Sequence, residues 1–205
     1  MKIGILAVQG DVSEHYRAMQ SAKEKLAKNE IEINLIRKKE ELKDLEGLII
    51  PGGESTTIYK LIKENNMERE IKTIKNFLVT CAGLILIAKR VEGLEKWQKT
   101  LNLLDIELKR NAYGSQIDSF YAELEGKILN GKRVAFIRAP KIKKIGKKIE
   151  VIAKIKNSNE IAILEQSSSD SIIIGATCHP ELDYDDLELY FLKKILENKK
   201  NFGEI

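Results

Sequence analysis

Strand-length apolar runs alternate with segments of helical spacing through the first half of the chain, and this alternation constrains the fold more than any other feature. Lys2 to Val8 (KIGILAV) has the pattern of a buried strand, Gln9-Gly10-Asp11 interrupts it, and Val12 to Ala27 then carries helical spacing at Val12, Tyr16, Met19 and Leu26. Glu32 to Ile36 predicts a second strand, and Leu45 to Ile50 a third that stops at Pro51-Gly52-Gly53, with a helix following from Ser55 or Thr56 through Ile62. Phe77 to Thr80 predicts a short strand that feeds a turn at Cys81 and a helix reaching about Lys89. Strands that alternate with helices predict a mostly parallel sheet covered on both faces. From Leu101 to Ile174 the pattern changes to short runs between polar turns, LDIEL, DSFYAEL, RVAFI, IEVIAKI, EIAILEQ and SIIIGAT, which read as antiparallel or mixed strands toward the edge of that sheet. Asp186 to Glu197 closes the pattern as an amphipathic helix. The expectation is an α/β fold with antiparallel edge strands, one domain over residues 1–205.

Composition narrows the setting. With 43% hydrophobic and 32% charged residues the chain is of the globular class. A net charge of +4 from 35 basic and 31 acidic residues is too small an excess to argue for nucleic acid. Two cysteines, Cys81 and Cys178, cannot make a disulfide framework, and Met1-Lys2-Ile3-Gly4 does not open a signal peptide, so a reducing cytoplasm is expected. No apolar run approaches the roughly 20 residues that span a bilayer. The dense charge run Lys141 to Lys148 (KIKKIGKK) reads as a solvated turn.

Chemistry concentrates at the strand ends. Cys81 lies between an apolar strand and a helical run, and a helix start, with its partial positive charge and unpaired N–H groups, favours a thiolate and a developing oxyanion. Gly83 permits close backbone approach, as in the strand-to-helix elbow that carries many nucleophiles. Of the two histidines, His15 falls on the first helix as a surface or internally satisfied residue, whereas His179 ends a strand before Pro180, which biases it toward extended backbone. Glu181 is placed to hold one imidazole nitrogen while the other faces a thiol. Cys178 reads as packing, and Asp183, Asp185 and Asp186 as helix N-terminal residues without metal-ligand spacing. The Gly52-Gly53 pair suggests main-chain donors for an oxyanion, from the amides of Gly53 and of Ala82. In an open α/β sheet the carboxyl ends of parallel strands converge, so these distant motifs can meet.

Taken in order, Leu6-Ala7-Val8-Gln9-Gly10-Asp11, Pro51-Gly52-Gly53-Glu54-Ser55-Thr56-Thr57, Thr80-Cys81-Ala82-Gly83-Leu84-Ile85-Leu86, Arg110-Asn111-Ala112-Tyr113-Gly114, Phe136-Ile137-Arg138-Ala139-Pro140 and His179-Pro180-Glu181 resemble the glutaminase subunits of pyridoxal 5′-phosphate synthases, a branch of the class I glutamine amidotransferases. The resemblance spans Lys2 to about Tyr190. It implies a flavodoxin-like three-layer α/β sandwich and a Cys81-His179-Glu181 triad that hydrolyses L-glutamine to glutamate and ammonia through a thioester, with no cofactor and no metal. It further implies a glutamine site at Gly53, Glu54, Ser55, Arg110, Ile137 and Arg138, and an oxyanion hole at Gly53 and Ala82. The implied partner is a (β/α)8-barrel synthase subunit that joins the ammonia to a pentose phosphate and a triose phosphate, with Gln9 at the border toward it. The chain departs from the family pattern at Tyr113 and Ser115, where Phe and Arg are usual, at Cys178, where Phe is usual, and in Lys72 to Asn76, which lacks the usual Gly-Lys-Pro. A cysteine hydrolase on a related fold, or a binding protein without turnover, is the alternative. The glutamine-site motifs argue against the first and the intact triad against the second.

Overall fold

The computed structural model describes residues 1–112 and 119–201. Tyr113, Gly114 and Ser115, named above among the family motif and its departures, lie outside the described residues.

Four βα-type segments build the parallel half. They are β1 (Lys2–Leu6) with α1 (Val12–Lys25), β2 (Glu32–Ile36), β3 (Gly47–Ile50) with α2 (Ser55–Glu64) and the single turn α3 (Glu68–Ile71), and β4 (Asn76–Thr80) with α4 (Ala82–Ile87). The later strands are β5 (Ala88–Glu92), β6 (Leu104–Lys109), β7 (Ser119–Gly126), β8 (Arg133–Ile137), β9 (Lys141–Ile145), β10 (Ile149–Ile155), β11 (Ile161–Ser167) and β12 (Ile172–Ala176), followed by α5 (Asp186–Asn201).

Nine strands form one sheet in the order β2-β1-β3-β4-β12-β11-β10-β7-β8. The pairings from β2 to β12 are parallel and those from β12 to β8 antiparallel, so β12 is the seam between the two halves. The 2-1-3-4 order of the parallel half is the flavodoxin order. Side chains alternate across each strand and supply two cores. Leu48 and Ile50 of β3, with Phe77 and Val79 of β4, face α2 and α4. Ile49, Leu78 and Ile174 face the opposite layer, where Met19 and Ala22 of α1 meet Leu187, Phe191 and Ile195 of α5. Helices therefore cover both faces, as the buried-strand pattern requires.

Three expectations change. Of the runs expected toward the edge of the sheet, LDIEL lies in β6 of a separate three-stranded sheet and SIIIGAT forms β12 in the middle of the large one, parallel to β4. The helix after Cys81 stops at Ile87 rather than near Lys89, because Ala88 is extended and the carbonyls of Leu86 and Ile87 accept from the amides of Leu101 and Leu103 (2.7 and 2.8 Å). The charge run at Lys141 is not a solvated turn throughout: Lys141–Ile145 is β9, an outer strand of a three-stranded sheet ordered β5-β6-β9. Ile142 packs on the core while Lys143 and Lys144 are exposed, the lysine pattern by which an edge strand resists further pairing. The turn is confined to the residues after it, closed by the Ile149 amide on the Gly146 carbonyl (3.1 Å).

Candidate active site

Four adjacent parallel strands, β1, β3, β4 and β12, end on one edge of the sheet, and the loops that leave them carry Gln9 to Asp11, Pro51 to Glu54, Cys81, and His179 to Glu181. Cys81 extends the β4–β12 ladder, its amide donating to the Ala176 carbonyl (2.9 Å). It then turns with φ 44° and ψ −100°, a conformation L-residues rarely adopt, and α4 begins at Ala82. Gly83 is what lets that helix seat: a Cβ there would lie 2.1 Å from the Ile50 carbonyl oxygen. The sequence thus builds a strained strand-to-helix elbow that presents a buried thiol, with Sγ 3.7 Å from the Ile137 carbonyl at the end of β8.

His179 is fixed from both ends. Its amide donates to the Ala135 carbonyl of β8 (2.9 Å), which curls the antiparallel half back toward β12, and Pro180 starts a short 3-10 turn directly after it. The imidazole is buried, with Nδ1 2.9 Å from Glu181 Oε1 and 3.1 Å from Asp11 Oδ2. A proton on Nδ1 serves both carboxylates and turns Nε2 toward the thiol. Burial works against protonation of this ring, but Asp11, Cys81 and Glu181 together outweigh it and hold the imidazole far above its ordinary range. The hydrogen bond to His179 in turn holds the Asp11 carboxyl below the usual range, against its partial burial. Gly52 makes room for the ring: a Cβ there would lie 2.3 Å from His179 Cε1. Asp11, His179 and Glu181 bring donor atoms within 4.8 Å of one another, with Nδ1 as the shared atom between the two carboxylates.

A cavity of ≈ 240 Å³ opens above the thiol. It is lined by Cys81, Ala82 and His179, by Gln9, Gly53, Glu54 and Ser55, which follow β1 and β3, and by Arg110, Ile137 and Arg138. Every binding position expected from the sequence is therefore at this one cavity, and Glu181 stands behind His179. Gly53 has φ +145°, a conformation open to glycine, and Arg138 is held at φ 44°. Arg110 Nη2 donates to Glu54 Oε1 (2.6 Å). Glu54 caps α2 by accepting from the Thr57 amide (2.8 Å), and although burial opposes its ionisation, hydrogen bonds from Thr56 and Thr57 keep its carboxyl below the ordinary range. The Gln9 side chain accepts from the Glu54 amide (2.9 Å), tying the loop after β1 to the loop after β3. Ser55 Oγ is buried without a partner among the described residues.

A thiol, a carboxylate-oriented imidazole and glycine-rich main chain around a small polar cavity form the arrangement for acyl transfer from an amide. Residues 5–197 match the SNO glutamine amidotransferase family. The chain belongs to that family. Among its relatives are proteins named pyridoxal 5′-phosphate synthase subunit PdxT. The chain is 44% identical to that of Dictyoglomus turgidum over 206 residues, which cover 96% of this chain and 100% of the relative. It is 42% identical to that of Thermococcus onnurineus over 204 residues, 96% of this chain and 100% of the relative. A solved structure titled "Crystal structure of glutamine amidotransferase" superposes with a TM-score of 0.76 at 35% identity, covering 97% of this chain and 98% of that one.

Around the cavity of this amidotransferase-family chain, sequence reasoning passed over Asp11, Asn111 and Ile85, which also line it. Asp11 carried a signal, since it follows β1 on the same edge as the other loops. His15, expected on the surface or internally satisfied, is the latter, fully buried with Glu188 and Thr80 as partners. That environment is assembled from α1, β4 and α5 and has no local signature. Cys178 packs in the core beneath α5, and burial pushes its thiol well up. Asp186 opens α5, and the Asp185 carbonyl takes the first helical amide bond from Leu189 (2.9 Å).

Proposed function

We propose that this chain is the glutaminase subunit of a pyridoxal 5′-phosphate synthase, acting as a single amidotransferase domain. The carrying observation is the convergence of the Cys81 elbow, the doubly held His179 and the Glu54-Arg110-Arg138 wall on one small cavity. That volume lies below the about 300–1,000 Å³ of drug-sized sites and suits a single amino acid.

In this reading Arg110 and Arg138 receive the α-carboxylate of glutamine, Glu54 its α-amino group, and the unpartnered Ser55 hydroxyl another polar atom of the same substrate. Ile137 covers the side chain. His179 Nε2 takes the thiol proton, and Cys81 Sγ attacks the amide carbon. The tetrahedral oxyanion is held by the amides of Gly53 and Ala82. The imidazolium, stabilised by Glu181 and Asp11, gives its proton to the amide nitrogen, the C–N bond breaks and ammonia leaves. Water, deprotonated by the same imidazole, then cleaves the thioester to glutamate and restores the thiol. The raised affinity of His179 for a proton suits it to take the thiol proton in that first step.

The ammonia passes to a (β/α)8-barrel synthase subunit, which combines it with a pentose phosphate and a triose phosphate, and Gln9 borders that partner. Such an enzyme works in the cytoplasm; no helix among the described residues is long and apolar enough to cross a membrane. Glutamate release from glutamine, measured with and without a synthase subunit, tests the reading. Release that Cys81→Ala abolishes supports it. Release untouched by Cys81→Ala, or activity on peptides and none on glutamine, refutes it.

A further inference from the structure

Behind Glu181, on the side away from the cavity, lies a buried group of polar side chains that the hydrolysis above does not use. His15 of α1 is fully buried, its Nδ1 2.8 Å from Glu188 Oε1 of α5 and its Nε2 3.0 Å from Thr80 Oγ1. Thr80, the residue before Cys81, is fully buried as well. Its hydroxyl lies 2.9 Å from the Gly52 amide and 3.5 Å from Glu181 Oε1. All the polar contacts of the Glu181 carboxylate gather on that one oxygen, since Oε2 has no partner among the described residues.

The proton inventory of Thr80 ties the direction of its bonds to the protonation of His15. A hydroxyl has one hydrogen to give and two lone pairs to receive. The Gly52 N–H can only donate, so it occupies one lone pair. The Thr80 hydrogen has two acceptors within reach, His15 Nε2 at 3.0 Å and Glu181 Oε1 at 3.5 Å. When His15 Nε2 carries hydrogen, it donates to the remaining Thr80 lone pair, it also lies 3.5 Å from Glu181 Oε1, and the Thr80 hydrogen is left for Glu181. His15 Nδ1 and Glu188 then share one further proton. Burial opposes charge on His15, but Glu181 and Glu188 outweigh it and raise its proton affinity, while burial also raises that of Glu188, as expected of a pair that shares a proton.

We propose that Thr80 and His15 are positioning residues for the hydrolysis: the Thr80 hydroxyl joins the oxyanion loop at Gly52 to the Glu181 carboxylate, and His15, backed by Glu188, locks that hydroxyl in place. One buried hydroxyl thus sets two parts of the site in register, the loop that carries the Gly53 amide and the carboxylate that aims His179. Neither residue touches the substrate. This inference rests on the glutaminase reading.

Steady-state glutamine hydrolysis by the full chain with saturating synthase subunit tests it, comparing wild type, Thr80→Val, Thr80→Ala, Thr80→Ser and Cys81→Ala. Valine keeps the shape without the hydroxyl, alanine removes the hydroxyl without adding volume should valine not be accommodated, and serine restores it. The expected result is a fall in kcat of about tenfold or more in Thr80→Val and Thr80→Ala with KM within about twofold, and near wild-type kcat in Thr80→Ser. Hydroxyl-less variants that keep wild-type kcat, or a serine variant as impaired as valine, would overturn the positioning role while leaving Cys81→Ala inactive and the glutaminase reading intact. Wild-type activity that survives Cys81→Ala would remove both.

Discussion

His179 Nδ1 faces two carboxylates, Glu181 at 2.9 Å in the interior and Asp11 at 3.1 Å on the cavity wall, so its proton is held by charge from both sides. Asp11→Asn removes one of them. The His179 titration midpoint, followed by NMR of the ring, is expected to move down from wild type, and an unchanged midpoint would contradict the pairing. The same linkage predicts a stability window. A histidine whose proton affinity rises on folding stabilises the native state fully below its unfolded pKa, and this is lost as pH rises through the folded value. An aspartate whose affinity falls on folding contributes above its unfolded pKa, and this is lost as pH drops through the folded value. The wild-type advantage over Asp11→Asn in urea unfolding is therefore greatest between about pH 3.9 and 6.5. A second prediction comes from crowding. Gly52→Ala would drive a methyl to 2.3 Å from His179 Cε1, and because a displacement of about 1 Å can cost a hundredfold, glutamine turnover should fall about 10²-fold or more while the chain stays folded by circular dichroism. Turnover within threefold of wild type would refute that placement of the ring.

Element by element, the strands were legible where burial on both faces left nearly continuous apolar runs: Gly47–Ile50 and Ile172–Ala176 fall within the runs that predicted them. Legibility failed where tertiary partners rather than period decided the outcome. Ala88–Glu92 (AKRVE) has no strand alternation and becomes β5 because β6 pairs with it, and Lys141–Ile145 hides its strand character behind edge lysines. At the site, the turns after β1, β3, β4 and β12 were readable because glycine, proline and cysteine punctuate them. The buried His15–Glu188 contact joins residues on α1 and α5 and could not be read from either helix. Helix α5 covers one face of the sheet chiefly through Leu187, Phe191, Leu192 and Ile195, and the Phe191 ring reaches Gly47 at the start of β3. Phe191→Ala should cost about 3–5 kcal/mol in chemical denaturation, and a loss below about 1 kcal/mol would show that α5 is not anchored there.

Across the whole molecule, the parallel half supplies the Cys81 thiol, the Gly52-Gly53 loop and the His179 imidazole from neighbouring strand ends, and the antiparallel half bends back to close the cavity with Ile137 and Arg138. Flavodoxin-order sheets place ligands at that edge, where loops from several strands meet. At that edge this chain gathers one cysteine, an imidazole, a glycine-rich loop and the charged side chains of Glu54, Arg110 and Arg138. The other cysteine, Cys178, is sealed in the core with its thiol pushed up by burial. That contrast gives the most direct test of the account. The chain is mixed with a pyridoxal 5′-phosphate synthase subunit and glutamine, quenched in acid during turnover, digested and mapped by mass spectrometry. A γ-glutamyl thioester on the peptide that contains Cys81, absent from the Cys178 peptide and lost in Cys81→Ala, is the predicted result; a glutamyl adduct on Cys178, or turnover with no adduct on Cys81 under any quench, would contradict it.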